Sequence, residues 1–361
     1  MFWVGLAALA AAWWIALWAT PLSARVAVRI GQLDRPGRRS LHRAPMPLLG
    51  GSAIFAAILL PGTLALALAR VWTATGAPAW LGAQVAGYVP NAAAQAPRAL
   101  GILAGAAAVH VLGLIDDRRS LPAWSKLLVE LAVAAAVVIA CDVRLLTIAG
   151  AGVSVPVTVL WIVAITNAFN LLDNMDGLSA GVAAICTTAL LATSIATGQL
   201  FVPAWLLLLL GALLGFLPWN LPAARTYMGD AGSLLIGYFL GVLSVLVTYV
   251  PPGRTYDLYG LCVPLVLMAV PLYDMVSVVV LRIRRRHNPL VGDRRHFSHR
   301  LLQRGLSVRA ALLVIYLCTA TTTIAASLLW RVGQTGAILL LAQTAALLLL
   351  VALLEHGGGR R

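Results

Sequence analysis

The chain has 361 residues, of which 61% are hydrophobic and only 11% charged, with a formal net charge of +14. Soluble domains carry about a quarter charged residues, so the composition excludes a globular protein with one large core and indicates a polytopic membrane protein. Nor does the charge point to nucleic acid: twenty-five arginines and a single lysine, Lys126, lie between apolar runs and form no basic recognition helix, which is the pattern of membrane topology.

Apolar runs of spanning length fall near 2–22, 48–69, 98–115, 124–141, 153–169, 178–197, 202–218, 232–250, 258–281, 309–329 and 336–354. They predict an all-α integral membrane protein of about eleven transmembrane helices, with residues 1–361 forming one membrane domain. The first run has no positive residues ahead of it. Arg25, Arg29, Arg35, Arg38 and Arg39 follow it instead, as for a retained span with its N-terminus outside. Alternating sides from there places 21 of the 26 basic residues on the cytoplasmic side, so the expected topology is N-out, C-in. Cys141, Cys186, Cys262 and Cys318 show no metal-ligand or redox spacing and read as small embedded hydrophobes.

The twelve acids are less evenly spread. Asp142 and Asp257 fall outside, Glu130 and Asp274 fall within spans, and the remaining eight fall on the cytoplasmic side. Five of those eight stand at span ends: Asp116 and Asp117 after the third run, Asp173 and Asp176 after the fifth, and Asp230 before the eighth. Carboxylates against hydrocarbon are costly without a partner, and a hard divalent cation takes oxygen ligands, so one shared cytoplasmic site is expected.

In chain order, the basic loop Asp34-Arg-Pro36-Gly-Arg38-Arg39-Ser-Leu-His42-Arg43, ending in Gly50-Gly51, is either a plain positive-inside loop or a holder of a lipid phosphate, with Arg38 and His42 as its candidates. After Asp116-Asp117, Pro122 opens the fourth span and Lys126 sits one turn in. That lysine suits phosphate or carboxylate binding, though a pair with Glu130, four residues on, is also open. Asn170, Asp173 and Asp176 recur every third residue and share a face if helical; Asp, Asn and Gly are also ordinary turn formers. Asn220-x-Pro222…Met228-Gly229-Asp230-Ala-Gly232-Ser233 runs into the eighth span, whose free first-turn N–H groups favour an anion, with Asp230 as helix cap, metal ligand or both. His296 and His299 lie beside Arg300. Zinc lacks a third ligand at recognisable spacing, which leaves a basic interfacial helix or, preferred here, a diphosphate clamp. Asp274, after Pro271, reads as a structural acid paired to a neighbour.

Asp116-Asp117 with Lys126, Asn170-x-x-Asp173-x-x-Asp176-Gly177, Asn220-x-Pro222…Met228-Gly229-Asp230-x-Gly232-Ser233 and His296-x-x-His299-Arg300, together with the Asp34-x-Pro36…His42…Gly50-Gly51 loop, resemble the ordered cytoplasmic motifs of the polyprenyl-phosphate N-acetylhexosamine-1-phosphate transferases. The resemblance covers most of the chain and implies a reaction: a UDP-N-acetylhexosamine and polyprenyl phosphate give polyprenyl-diphospho-hexosamine and UMP. Mg²⁺ is the implied cofactor, with Mn²⁺ able to substitute. By residue, it implies Asp230 and Asp173 as metal ligands, with Asp173 also proposed as nucleophile in the family, and Asp116 or Asp117 as acceptor of the lipid-phosphate proton. Asn170 and Asp176 would complete the acidic site, Lys126 would contact phosphate, and Asn220 would lie near the nucleotide. His296, His299 and Arg300 would hold diphosphate or sugar. The implied setting is the bacterial inner membrane with the site facing the cytoplasm; the partners are the two substrates and the bilayer, and a homodimer is allowed. Ser298 stands where the enterobacterial-type motif has a histidine, and the three consecutive histidines of phospho-MurNAc-pentapeptide translocase are absent. GlcNAc-1-phosphate transfer, the first membrane step of a cell-envelope polysaccharide, is therefore the main expectation and the translocase the runner-up. An ion-coupled transporter, the reading from another class, would need acids near the midplane and repeated halves; only Glu130 and Asp274 look embedded, and no internal repeat is evident.

Overall fold

A computed structural model of the chain describes residues 2–34, 45–249, 258–286 and 296–356. Ten helices among them are long and apolar enough to cross a membrane: α1 (Phe2–Ile30), α2 (Gly50–Thr75), α5 (Ala96–Arg118), α6 (Ala123–Ala140), α7 (Ala151–Leu172), α8 (Leu178–Ala196), α9 (Phe201–Asn220), α10 (Gly229–Leu246), α14 (Val308–Leu329) and α15 (Gln334–His356). The short α3 (Ala83–Ala86) and α4 (Val89–Ala94) lie between α2 and α5. β1 (Leu33–Asp34) pairs with β2 (Met46–Pro47) in a two-residue antiparallel ladder; Arg38 and His42 fall between them in sequence. Both of those residues lie outside the described ones.

One expected span departs from a straight helix. The run at 258–281 is broken: Tyr259–Leu267, which includes α11 (Val263–Leu267), and α12 (Ala269–Arg284) meet at 71°. Pro271 has no N–H to give the carbonyl of Leu267 four residues back, so the helical ladder fails there. The thiol of Cys186 on α8 donates to that carbonyl instead, at 3.6 Å. Eleven apolar runs are thus ten unbroken helices and one bent pair.

The bundle is built around α10. Sixteen of its eighteen residues are buried, and it packs against α2, α5, α7, α8 and α9. A helix apolar on every side belongs in the middle of a bundle. By contrast α1 buries only four of twenty-nine residues and exposes Trp3, Trp14 and Trp18. It lies parallel to α9 through small residues: a Cβ on Gly211 would stand 2.3 Å from the carbonyl of Leu9, and one on Gly215 2.4 Å from that of Trp13. Without a hydrophobic drive between helices in lipid, such close approach supplies the packing. Farther along, the Trp219 indole donates to the carbonyl of Leu17 at 3.0 Å. The start of α1 therefore lies at the opposite end of the bundle from the C-terminus of α9. The last turn of α15 lies at the α9 C-terminal end, where Glu355 meets α13 (Phe297–Gln303).

Candidate active site

The site is assembled from helix ends that meet around the first turn of α10. Asp116 and Asp117 occupy the last turn of α5. The amide of Leu121 folds back onto Asp116 Oδ1 at 2.6 Å, and Pro122 then caps the start of α6. This corner brings Lys126 back over α5, with its Nζ 2.5 Å from Asp116 Oδ2 and 3.1 Å from Asp230 Oδ2. The pair with Glu130 left open by the sequence does not form: Glu130, buried in α6, accepts from the Asn167 side chain of α7.

Asp117 has a different task. Its Oδ1 accepts the N–H of Asp230 at 2.8 Å and its Oδ2 the N–H of Ala231 at 3.2 Å. First-turn amides have no intrahelical partner and sit at the positive end of the helix dipole, so the anion expected at this helix start is a side chain of the protein itself. Gly229 makes the approach feasible. Its φ is +68°, and a Cβ there would lie 2.5 Å from Asp117 Oδ2. His110 of α5 clasps the same turn from behind: Nδ1 is 3.0 Å from the Ala231 carbonyl, Nε2 is 3.3 Å from Ser52 Oγ of α2, and the ring stacks on Phe55.

Asn170, at the end of α7, donates to Ser233 Oγ on α10 at 2.9 Å, which sets the α7–α8 loop beside the cluster. In that loop Asp173 is half-buried among carboxylates, and among the described residues no hydrogen-bond donor reaches its side chain. Burial, and then the charges of Asp230, Asp117 and Asp176, push its carboxyl well above the ordinary range. Asp176 turns toward the α9–α10 connection, where it accepts the amide of Ala224 at 3.0 Å and bonds the phenol of Tyr227. Burial and the Asp176 charge push that phenol up as well.

Asn220, expected near the nucleotide, is instead enclosed. Its Oδ1 accepts the amide of Gly177 at 3.1 Å and its Nδ2 donates to the Thr226 carbonyl at 3.0 Å, stitching the α7–α8 loop to the α9–α10 connection. The same connection forms a short backbone ladder with the segment before α2: Tyr227 N to the Pro47 carbonyl at 2.9 Å, Gly50 N to the Tyr227 carbonyl and Gly51 N to the Met228 carbonyl, each at 3.0 Å. The stretch from β2 into α2 is therefore held beside the residues that lead into α10.

The histidine motif reaches this region through α13. Ser298 hydroxyl donates to the side-chain carbonyl of Asn174, the residue between Asp173 and Asp176 in the acidic loop. His296 Nδ1 is 2.9 Å from Asp274 Oδ2, which confirms Asp274 as a paired acid, and the His299 ring is 6.3 Å from that of His296. Arg300 does not extend toward the carboxylates. Its Nε is 3.1 Å from Glu355 of α15 and its Nη2 donates to Ser277 at 2.7 Å, so it anchors α13 to α12 and α15. Sequence reasoning missed His110, Asn174 and Glu355. Glu355 stands at the end of an apolar run and looks like a terminal solvating charge, yet its side chain is fully enclosed.

Four carboxylates thus gather here: Asp116 and Asp230 pair with the Lys126 ammonium, Asp117 takes the first-turn amides of α10, and Asp173 lies among the other acids. Among the described residues no three His, Cys, Asp or Glu side chains converge as a metal-ligand set. The ammonium stands within bonding distance of both Asp116 and Asp230.

The sequence pattern described as glycosyl transferase family 4 matches residues 99–248, a stretch that holds every member of the acidic cluster. The probable undecaprenyl-phosphate N-acetylglucosaminyl 1-phosphate transferase of Bacillus subtilis is 33% identical over 306 residues, covering 82% of this chain and 77% of its own. The chain belongs to that family, the polyprenyl-phosphate N-acetylhexosamine-1-phosphate transferases. Another member similar to it is the decaprenyl-phosphate N-acetylglucosaminephosphotransferase of Mycolicibacterium smegmatis, 32% identical over 349 residues, with 88% of this chain and 80% of the relative covered. The undecaprenyl-phosphate alpha-N-acetylglucosaminyl 1-phosphate transferase of Escherichia coli K12 is 26% identical over 311 residues, with 82% and 76% covered. In this family member the histidine motif lies beyond the matched pattern and joins the site through Ser298 and Asn174.

Proposed function

We propose that the protein transfers N-acetylglucosamine 1-phosphate from UDP-GlcNAc to polyprenyl phosphate, releasing UMP, as the first membrane step of a cell-envelope polysaccharide. The relatives whose names carry this activity support the substrates. The observation that carries the chemistry is the convergence of Asp116, Asp117, Asp173, Asp230 and Lys126 from four separate helix ends. Transfer of a phosphoryl group between two anions depends on positioning and charge neutralisation more than on new covalent machinery.

The donor set suits Mg²⁺. Asp116 and Asp230 lie within hydrogen-bond reach of each other and Asp173 has no donor among the described residues, an excess of hard oxygen ligands that one ammonium leaves under-compensated. Asp173 and Asp230 would hold the ion, which when bound supplies Lewis-acid neutralisation of phosphoryl oxygens. Lys126 orients Asp230 and offers its charge to the diphosphate. The Asp116–Asp117 pair accepts the proton of the lipid phosphate, and Asn170 fixes the acidic loop on α10. His296 and His299 contact the donor from α13, while Asn220 and Arg300 act at one remove by holding the loops.

The reading places the cluster on the cytoplasmic side of the inner membrane, with N-out, C-in topology. Chain ends at opposite ends of the bundle and the excess of arginine on the expected inner loops support it. The nucleotide then arrives from water and the lipid from the bilayer.

The test is UMP release by the purified protein in detergent, across several UDP-sugars. UDP-GlcNAc with polyprenyl phosphate and Mg²⁺ should support turnover, and chelation should abolish it. Preference for UDP-MurNAc-pentapeptide would move the protein to the translocase reaction, and no UMP from any donor would overturn the transferase reading.

A further inference from the structure

Asp274 lies on α12, three residues after Pro271, and is fully buried. Both of its oxygens are engaged by α13: Oδ1 accepts the Phe297 amide at 2.6 Å, and Oδ2 is the atom bonded to His296 Nδ1. The first bond caps a helix start, and a cap needs only that one. The second fixes an imidazole. A carboxylate oxygen accepts and does not donate, so Nδ1 carries the proton and Nε2 is left as the ring's second polar atom, with no hydrogen-bond partner among the described residues.

We propose that Asp274 is a positioning residue that orients His296 so that Nε2 meets the sugar-nucleotide donor; the inference rests on the transfer reaction proposed above. A carboxylate on Nδ1 fixes the ring's tautomer and its orientation, so Nε2 is the atom the ring can offer to a ligand. Neighbouring bonds tie this part of α13 to the acidic loop. Ser298, two residues on, holds Asn174 beside Asp173, and Arg300 ties the far side of α13 to Ser277 on the same helix as Asp274. The sugar-nucleotide donor, rather than the lipid acceptor, is the ligand this geometry serves.

Three variants test this: Asp274→Asn, His296→Gln and the double, each assayed for UMP release with the KM measured separately for UDP-GlcNAc and polyprenyl phosphate. Asn keeps the volume and an oxygen for the Phe297 amide, so Asp274→Asn should unfold in detergent close to the wild-type temperature. It should lose about tenfold to a hundredfold in kcat/KM, the range for removing a partner that orients a functional histidine. The loss should appear in the KM for UDP-GlcNAc and leave that for polyprenyl phosphate unchanged. In the His296→Gln background it should vanish, because the two residues act as one unit. Multiplying losses, or equal effects on both KM values, would overturn the inference while leaving the transferase reading intact. A wild-type protein that releases no UMP would remove both.

Discussion

Two aspartates, the half-buried Asp117 and the fully buried Asp274, do the same mechanical job in different surroundings. Each projects from one helix to receive backbone N–H at the start of another: Asp117 of α5 caps α10, and Asp274 of α12 caps α13. At α10 both oxygens take main-chain amides, and the neighbours are other acids and Lys126. At α13 one oxygen takes an amide and the other an imidazole. The difference separates two functions built with one device. The α10 cap gathers negative charge at a helix start, where the proposed reading would place a hard cation, whereas the α13 cap holds an imidazole, which that reading would turn to the donor. Variants at the first should therefore alter turnover, and variants at the second should alter donor binding.

The largest expected effect is at the charge centre. Asp230→Asn should lower kcat by roughly 10²-fold or more if this carboxylate supports transition-state charge, with little change in thermal stability. UMP-release kinetics on the purified variant decide it, and unchanged kcat would take Asp230 out of the mechanism and erase the contrast between the two caps.

Next is the cap itself. Asp117→Ala leaves two first-turn amides of α10 buried without an acceptor, at a cost of about 2 kcal/mol or more. Because α10 touches five other long helices, the loss should show as a lower unfolding temperature in detergent. Asp116→Ala removes no backbone partner from α10 and should unfold near the wild-type temperature. Equal stability of the two variants would mean that Asp117 does not hold the helix start. Gly229→Ala tests the same contact from the other side: the positive φ and the carboxylate at 2.5 Å both oppose a methyl group, at a cost of about 1–2 kcal/mol from the backbone alone.

What was legible beforehand follows from which signals are local. Apolar runs set the spans to within a few residues for most helices, since length and hydropathy are properties of a single segment. The convergence of Asp116, Asp117, Asp173 and Asp230 was legible because cost in hydrocarbon confines acids to one face. The break in the ninth run was signalled by Pro271, but a proline in an apolar run does not say whether the helix kinks or stops. The roles of Asn220 and Arg300 were not legible. Whether a polar side chain faces substrate or ties two loops depends on partners far along the chain: Thr226 and Gly177 for one, Ser277 and Glu355 for the other. Likewise Lys126 had Glu130 in reach by helical spacing, and only the fold brought Asp230, 104 residues away, into contact.

The smallest effect concerns the bridge between the two regions. Ser298 stands where the enterobacterial-type motif carries a histidine, and its hydroxyl reaches Asn174 in the acidic loop. Ser298→Ala deletes a single hydrogen bond between elements that Arg300 and Asp274 still anchor, a loss of about 1 kcal/mol that corresponds to a few-fold change. If the bridge aligns α13 with the carboxylates, that few-fold loss should fall on the KM for UDP-GlcNAc, and Asn174→Ala should reproduce it without adding to it in the double variant. Ser298→His would restore the residue of the enterobacterial-type motif but must fit an imidazole where Ser298 is 1% exposed, so it should destabilise the chain more than it recovers binding. A stable, more active Ser298→His protein would show instead that the position contacts substrate directly, and that α13 reaches the reacting groups through a third side chain besides His296 and His299.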